Sequence, residues 1–318
     1  MEQRASTGRV VDSPSRGKQP PGRLRCEPGL GPEDLRAIED LARDCVAVDG
    51  GRLKLEFGIL QSRPSGQVND FLWIGPEGLV GFLGVYGFRS DQVELCGMVR
   101  PSARRQGIFS RLFEAATAEL ARRNVPQALI VVDRLYESGS CFARNRGAAI
   151  EHSEHRMTLR REPDRIVADP AVTIRRAVLG DARFVLSCLS EAFGLPAEHL
   201  EDKEVEMLAR QFSGTLVIDY ANVPVGTVRV DRDGSSAGIY GFAVVPEHRG
   251  RGIGRQVLST LARDLKAEGA TEIGLEVSVA NDAALHLYLS CGFDVMGTED
   301  YYALQFESRR ADPERHVP

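Results

Sequence analysis

One spacing constrains this chain more than any other feature: landmarks recur 145 residues apart. Val80-Gly81 returns as Val225-Gly226, Pro101 as Pro246, Arg104 as Arg249, Gly107-Ile108 as Gly252-Ile253 and Gly147 as Gly292. Self-similarity at a fixed period marks a repeated structural unit, so the spacing predicts two copies of one domain in tandem. The length of 318 residues fits two domains of about 100 to 200 residues each. The expected organisation is a disordered leader over 1–28, a first domain over 29–162, a linker over 163–171, a second domain over 172–308 and a tail over 309–318. The leader is read from its first 25 residues, which hold six Arg/Lys with Pro14, Pro20 and Pro21 and no apolar block.

Within each copy the periodicities agree. Ile253, Val257, Leu258, Leu261 and Leu265 fall on one helical face, and Ile108, Leu112, Phe113, Ala116 and Leu120 repeat it in the first copy. Short β-like runs precede each glycine loop, at 71–74, 79–87 and 93–99 and then at 215–218, 225–230 and 239–245. Another run follows each helix, at 128–132 and 273–279, and a helix is expected from Asp181 to Phe193 with Asp181 as its cap. These elements predict an α/β fold, a mixed sheet flanked by helices in each copy.

Composition narrows the function. Apolar residues make up 42% and charged residues 27%, enough for two buried cores. The longest apolar stretch, Leu79–Phe88, is about half a bilayer span and is broken by glycines, so no membrane association is expected. A net charge of −5 argues against a nucleic-acid partner. Six cysteines at least 19 residues apart form no metal-ligand cluster, which predicts no metal site and a reducing cytoplasm. His248 and His286 have no partner spacing for a metal or a catalytic triad.

The most informative segment joins a strand to a helix: Val244-Val245-Pro246-Glu247-His248-Arg249-Gly250-Arg251-Gly252-Ile253-Gly254-Arg255. Its glycines let backbone amides turn toward one point, the helix N-terminus adds partial positive charge, and Arg249, Arg251 and Arg255 supply what the acidic whole lacks. An anion site follows, although a lone Gly-x-Gly also suits a plain tight turn; the segment has neither P-loop nor dinucleotide-fingerprint spacing. Downstream, Leu275 to Val279 reads as a strand, Asn281 starts a helix containing Tyr288, and Gly292-Phe293 ends it.

Together these segments resemble the GNAT superfamily of acyl-CoA-dependent N-acetyltransferases, clearly over roughly 172–306 and more weakly over 30–160. The resemblance implies that Arg249, Gly250, Arg251, Gly252, Ile253 and Gly254 meet the pyrophosphate of acetyl-CoA, that Val244 and Val245 line the edge beside its pantetheine arm, and that Asn281 helps hold it. Tyr288 matches the tyrosine that protonates the departing thiolate in many members. Members often carry a basic carboxylate on the strand before the loop; here that strand reads Gly238-Ile239-Tyr240-Gly241-Phe242-Ala243. Glu276 on the next strand is the nearest acid and the candidate base, with water or Tyr240 as alternatives. The acidic run Glu198–Glu206 falls where members place helices bordering the acceptor, and equally suits a solvated helix face.

The first copy departs from this pattern. Ala143 stands for Tyr288, Tyr136 for Asn281 and Phe109 for Gly254, while Arg100, Arg104, Arg105, Gln106 and Gly107 still suit a phosphate. It also carries Glu94, a strand carboxylate that the second copy lacks. The expectation is a degenerate first domain and a catalytic second one, a layout similar to that of mycothiol synthases, which acetylate a cysteinyl amine. The function expected is acetyl transfer from acetyl-CoA to a primary amine of a small molecule or peptide, by direct attack in a ternary complex. The alternative is a non-catalytic acyl-CoA-binding regulator or scaffold.

Overall fold

A computed structural model describes residues 20–63, 66–88, 91–163, 167–194 and 213–306. The first copy contributes β1 (Arg23–Glu27), α1 (Pro32–Asp49), α2 (Phe57–Gln61), β2 (Asp70–Gly75), β3 (Gly78–Tyr86), β4 (Gln92–Val99), α3 (Ile108–Arg122), β5 (Gln127–Asp133), α4 (Glu137–Asn145) and β6 (Ala149–Leu159). The second contributes β7 (Val172–Arg176), α5 (Ala182–Phe193), β8 (Thr215–Tyr220), β9 (Val223–Asp233), β10 (Ser236–Val244), α6 (Ile253–Ala267), β11 (Glu272–Ser278), α7 (Asp282–Ser290) and β12 (Phe293–Gln305). The expected α/β class is observed, and each predicted strand and helix has its counterpart.

All twelve strands form one sheet in the order β1-β2-β3-β4-β5-β12-β6-β11-β10-β9-β8-β7. The copies are therefore interleaved. β12 of the second lies between β5 and β6 of the first, and β6 pairs in turn with β11. At the centre Glu154 faces Glu299 across the antiparallel β6–β12 ladder. These two residues are themselves 145 apart, so the ladder relates the copies by an approximate two-fold axis.

Side chains alternate along each strand, which gives the sheet two chemically distinct faces. On one, α3 buries Ile108, Leu112, Phe113, Ala116 and Leu120 against the first copy's strands, and α6 and α7 cover the second copy's core around Val257, Leu258, Leu275 and Phe293. On the other, α1 seats Ile38, Leu41 and Cys45 against Leu72, Phe82 and Met98. Helix α5 packs on β9 and β10.

Two expectations need adjustment. The segment assigned to the leader through residue 28 contains β1, whose residues Arg23 to Glu27 pair with Ile74 to Asp70 of β2. Its alternating Arg23, Arg25 and Glu27 suit an outer strand with little to bury, so no apolar run announces it. Residues 1–19, the acidic run Glu198–Glu206 and the tail lie outside the described residues. Asp181 does occupy the N-cap position of α5, but its carboxylate takes both terminal nitrogens of Arg175, at 2.7 and 2.9 Å, and the Val178 amide, rather than an amide of the helix.

Candidate active site

The decisive local feature is a break in β10. It runs parallel to β11 only from Ser236↔Glu272 to Ile239↔Leu275, and then the strands part. On its other side the register with β9 shifts between Tyr240 and Ala243, where one extra residue is inserted. That residue is Gly241, at φ 54°. Among the described residues the edge of β10 from Tyr240 to Val244 has no strand partner on the β11 side, and the bulge bends the strand and increases its local twist there. The first copy parts too, its β4 pairing with β5 only from Gln92↔Gln127 to Leu95↔Ile130, but it has no bulge: β4 pairs with β3 without a shift from Val99 to Glu94.

Beyond the gap comes the glycine loop. A short 3-10 turn at Pro246–His248 leads to Gly250 at φ 74° and Gly252 at φ 81°, the residue before α6. A Cβ at either glycine would meet nothing within 4 Å, so space is open above the first amides of α6, which have no intrahelical acceptor. That is a cradle fit for a phosphate. Arg249 donates its Nε to the Val244 carbonyl at 2.7 Å, which fixes its side chain across the turn. Gly254 answers a different demand: a Cβ there would lie 3.0 Å from Leu287, so glycine lets α6 approach α7.

Asn281 caps α7, its side-chain oxygen accepting the Ala284 amide at 3.1 Å. Tyr288, two residues from the end of α7, is 8% exposed and packs near Phe293 with ring centroids 6.2 Å apart. Burial pushes its phenol up to about 12, so it holds its proton at neutral pH.

The opposite face of the sheet carries the charge. Leu275 and Val277 of β11 point into the core beneath α6 and α7, so Glu276 between them points the other way. There it meets Lys54, from the segment between α1 and α2: Nζ donates to Glu276 at 2.9 Å and to the Tyr301 hydroxyl at 2.5 Å. Tyr301 in turn donates to Glu154 at 2.7 Å. Glu94 lies 3.9 Å and Glu154 4.0 Å from the same ammonium. Burial works against the Lys54 charge, but Glu276 and Glu94 outweigh it and hold its pKa well above the ordinary lysine value. Burial, with Glu276 and Glu154 nearby, pushes Glu94 up to about 7 despite Lys54. Burial also raises Glu56 and Glu299, each with Glu276 adding to the shift. Tyr240, beside this cluster, has its phenol raised first by burial and then by Glu56 and Glu276.

The sequence reading thus places the glycine loop, Val244, Val245, Asn281 and Tyr288 around one strand gap, and Glu276 on the other face of the same strands. It missed Lys54, Glu154 and Tyr301. A signal existed for Glu154, whose 145-residue partner is Glu299. Nothing local marks Lys54, which reaches Glu276 across 222 positions of sequence.

In the first copy the corresponding loop keeps its shape, with Arg105 at φ 63° where Gly250 stands and Gly107 at φ 81°. Two of its arginines are engaged: Arg104 bonds Asp49 at 2.7 and 2.5 Å, and Arg100 pairs with Asp44 at 3.1 Å. Phe109 packs on Phe142 with centroids 4.8 Å apart and reaches Gly97 of β4, so its ring occupies the strand divergence rather than the helix start. Tyr136 donates its hydroxyl to the Gly50 carbonyl at 2.5 Å.

Comparison with known proteins agrees with this geometry. Residues 183–293 match the model of the acetyltransferase (GNAT) family. The chain is 28% identical to a mycothiol acetyltransferase of Propionibacterium freudenreichii subsp. shermanii, over 89% of this chain and 93% of that protein. It is 27% identical to the mycothiol acetyltransferase of Mycobacterium avium, over 86% and 96%. Among solved structures it resembles a GCN5-related N-acetyltransferase from Sphaerobacter thermophilus, with a TM-score of 0.75, 21% identity and coverage of 89% of this chain and 95% of that one. It also resembles a tandem GNAT protein of the clavulanic acid pathway, with a TM-score of 0.69, 17% identity and coverage of 89% and 98%.

Proposed function

We propose that the second copy moves an acetyl group from acetyl-CoA to the primary amine of a small molecule or peptide, a reading supported by the match of residues 183–293 to the acetyltransferase (GNAT) family and by the likeness to tandem GNAT structures. The observation that carries this reading is the gap between β10 and β11 beyond Ile239, bent by the Gly241 bulge and beside the open glycine cradle, whereas the equivalent parting of β4 from β5 beyond Leu95 has no bulge and holds the Phe109 ring. The amides at Arg249 to Gly254 would hold the pyrophosphate, with Arg251 and Arg255 adding charge. Val244 and Val245 would border the pantetheine arm, and the Asn281 amide would face it. Bound acetyl-CoA supplies an acyl group activated as a thioester.

The chain's own groups fit what the transfer needs on each side of the sheet. Backbone N–H groups near Val244 can stabilise charge on the acyl oxygen. Tyr288, protonated at neutral pH, serves as the acid for the departing sulfur. Glu276 and its neighbours face the acceptor, and their negative charge favours an approaching ammonium. Two relatives are named mycothiol acetyltransferases, and the similar layout of mycothiol synthases makes a cysteinyl amine the first acceptor to try.

The test is incubation with acetyl-CoA and an amine panel that includes S-methylcysteine amide, glucosamine and a tripeptide, with CoA release followed by chromatography. Release that depends on an amine is expected. Thermal stabilisation by acetyl-CoA with no release for any amine would instead establish the acyl-CoA-binding regulator.

A further inference from the structure

We propose that the chain's own segment from Asp49 to Leu53 fills the cofactor groove of the first copy. So mounted, the segment carries Lys54 to the second copy, where it is the positioning residue of Glu276. The inference rests on the reading that chemistry occurs at the β10–β11 gap. It begins from the residues at which the first copy departs from the repeat.

Where the second copy has Gly254, Ser278 and Asn281, the first has Phe109, Asp133 and Tyr136. All three gather in one place. β4 and β5 part beyond Leu95 and Ile130, and the cavity at that parting is lined by Gly97, Phe109, Val132 and Tyr136 and, from the segment after α1, by Arg52 and Leu53. Its volume is about 60 Å³, against about 300 to 1,000 Å³ for a ligand pocket. Gly50 and Gly51, at φ 72° and 61°, bend the chain over the end of β5. There the Tyr136 hydroxyl donates to the Gly50 carbonyl at 2.5 Å, and the Arg52 amide donates to the Asp133 carboxylate at 3.1 Å. A Cβ at Gly51 would come 2.8 Å from that carboxylate, so segment and strand end are in contact. The substitutions that remove the first copy's cofactor residues are thus the ones that hold the segment.

The anion end is occupied in the same way. Arg104 lies across its turn as Arg249 does, its Nε donating to the Val99 carbonyl at 3.0 Å. Its terminal nitrogens then reach both oxygens of Asp49, at 2.7 and 2.5 Å, the fork that a phosphate would take. Arg100 takes Asp44 at 3.1 Å. At an offset of 145 the second copy has Gly194 and Leu189, so neither position sets a carboxylate against its glycine loop.

Immediately after the segment, Lys54 crosses to the other copy. Its Nζ donates to Glu276 at 2.9 Å and to the Tyr301 hydroxyl at 2.5 Å. Glu276 follows Leu275, the last β11 residue paired with β10, and so borders the gap on the face away from α6 and α7. An ammonium held from behind by an anchored segment gives that carboxylate one orientation toward an incoming amine. Lys54 acts through Glu276 and does not itself meet the acceptor.

Two measurements on the full chain test this. Titration calorimetry with acetyl-CoA should give one equivalent, lost in Gly252→Trp, which fills the second cradle. Two equivalents that fall to one in Gly252→Trp would show the first groove free and overturn the inference, leaving the site reading intact. One equivalent kept in Gly252→Trp, or none in the wild type, would overturn both.

Turnover is followed with S-methylcysteine amide, or the amine of the panel that releases most CoA. Tyr136→Phe keeps the ring and removes the anchor; it should lower kcat/KM for the amine about fivefold, with acetyl-CoA affinity unchanged. Lys54→Met should lower it about tenfold or more, and Lys54→Arg should restore most of it. In the Lys54→Met background Tyr136→Phe should bring no further loss, because the anchor acts only through the lysine. Losses that multiply would mean two independent packing effects, and an unchanged kcat/KM in Lys54→Met would remove the positioning role; either result overturns the inference while the site reading stands. If no amine releases CoA, both fall.

Discussion

At the residue scale, the same landmark does different work in the two copies. Gly292 and Gly147 both end a helix at positive φ, 91° and 79°. A Cβ at Gly292 would lie 2.4 Å from the Arg161 carbonyl oxygen, whereas one at Gly147 would meet nothing within 4 Å. Gly147→Ala should therefore cost only the left-handed penalty of about 1–2 kcal/mol, and Gly292→Ala should cost distinctly more, because the chain leaving β6 must shift; urea unfolding of the two variants checks this. Tyr288→Phe keeps the packing against Phe293 and removes the donor. It should lower turnover about 10²-fold or more while acetyl-CoA affinity, measured by calorimetry, stays within error.

At the scale of elements, the bulge separates the copy proposed to be catalytic from the other. Gly241 sits at φ 54°, and a Cβ there would come 3.2 Å from Leu189 of α5. Gly241→Val should cost about 1–3 kcal/mol in strain and should weaken acetyl-CoA binding, since either the bulge straightens toward β11 or the strand shifts from α5. An unchanged dissociation constant would detach the bulge from cofactor binding. Residue periodicity located β10 but not the bulge, because one extra residue between Tyr240 and Ala243 is compensated in the preceding turn and leaves every landmark at 145.

At the scale of the molecule, the exchange of β6 and β12 means that neither copy completes its own sheet. Residues 172–306 alone would leave β11 without its β6 neighbour and β12 without either partner. Expressed singly, each half should be insoluble or poorly folded by circular dichroism, and co-expression of both should restore a stable complex. The charged centre has its own signature. Glu94 has a folded value of about 7, above its ordinary 4.5, so it binds more protons folded than unfolded between those values. Its contribution is complete below about pH 4.5 and is lost as pH rises through about 7, up to roughly 3 kcal/mol by the shift. Thermal unfolding from pH 4 to 8 should show that decline, and Glu94→Gln should flatten it.

The sequence by itself determined the doubled domain, the alternation of strands and helices, the glycine cradle and the capped helix carrying Tyr288. Each of these depends on local rules: spacing along one strand or helix, φ freedom at a glycine, a side chain bonding an amide three residues on. The tertiary structure alone decided that β12 enters the other copy's sheet, that Asp44 and Asp49 of α1 pair with the first copy's arginines, and that Lys54 binds Glu276. Those contacts join residues far apart in sequence, and a charge in a loop carries no periodicity. Where such a charge comes to rest is fixed only when the two copies close around their shared ladder.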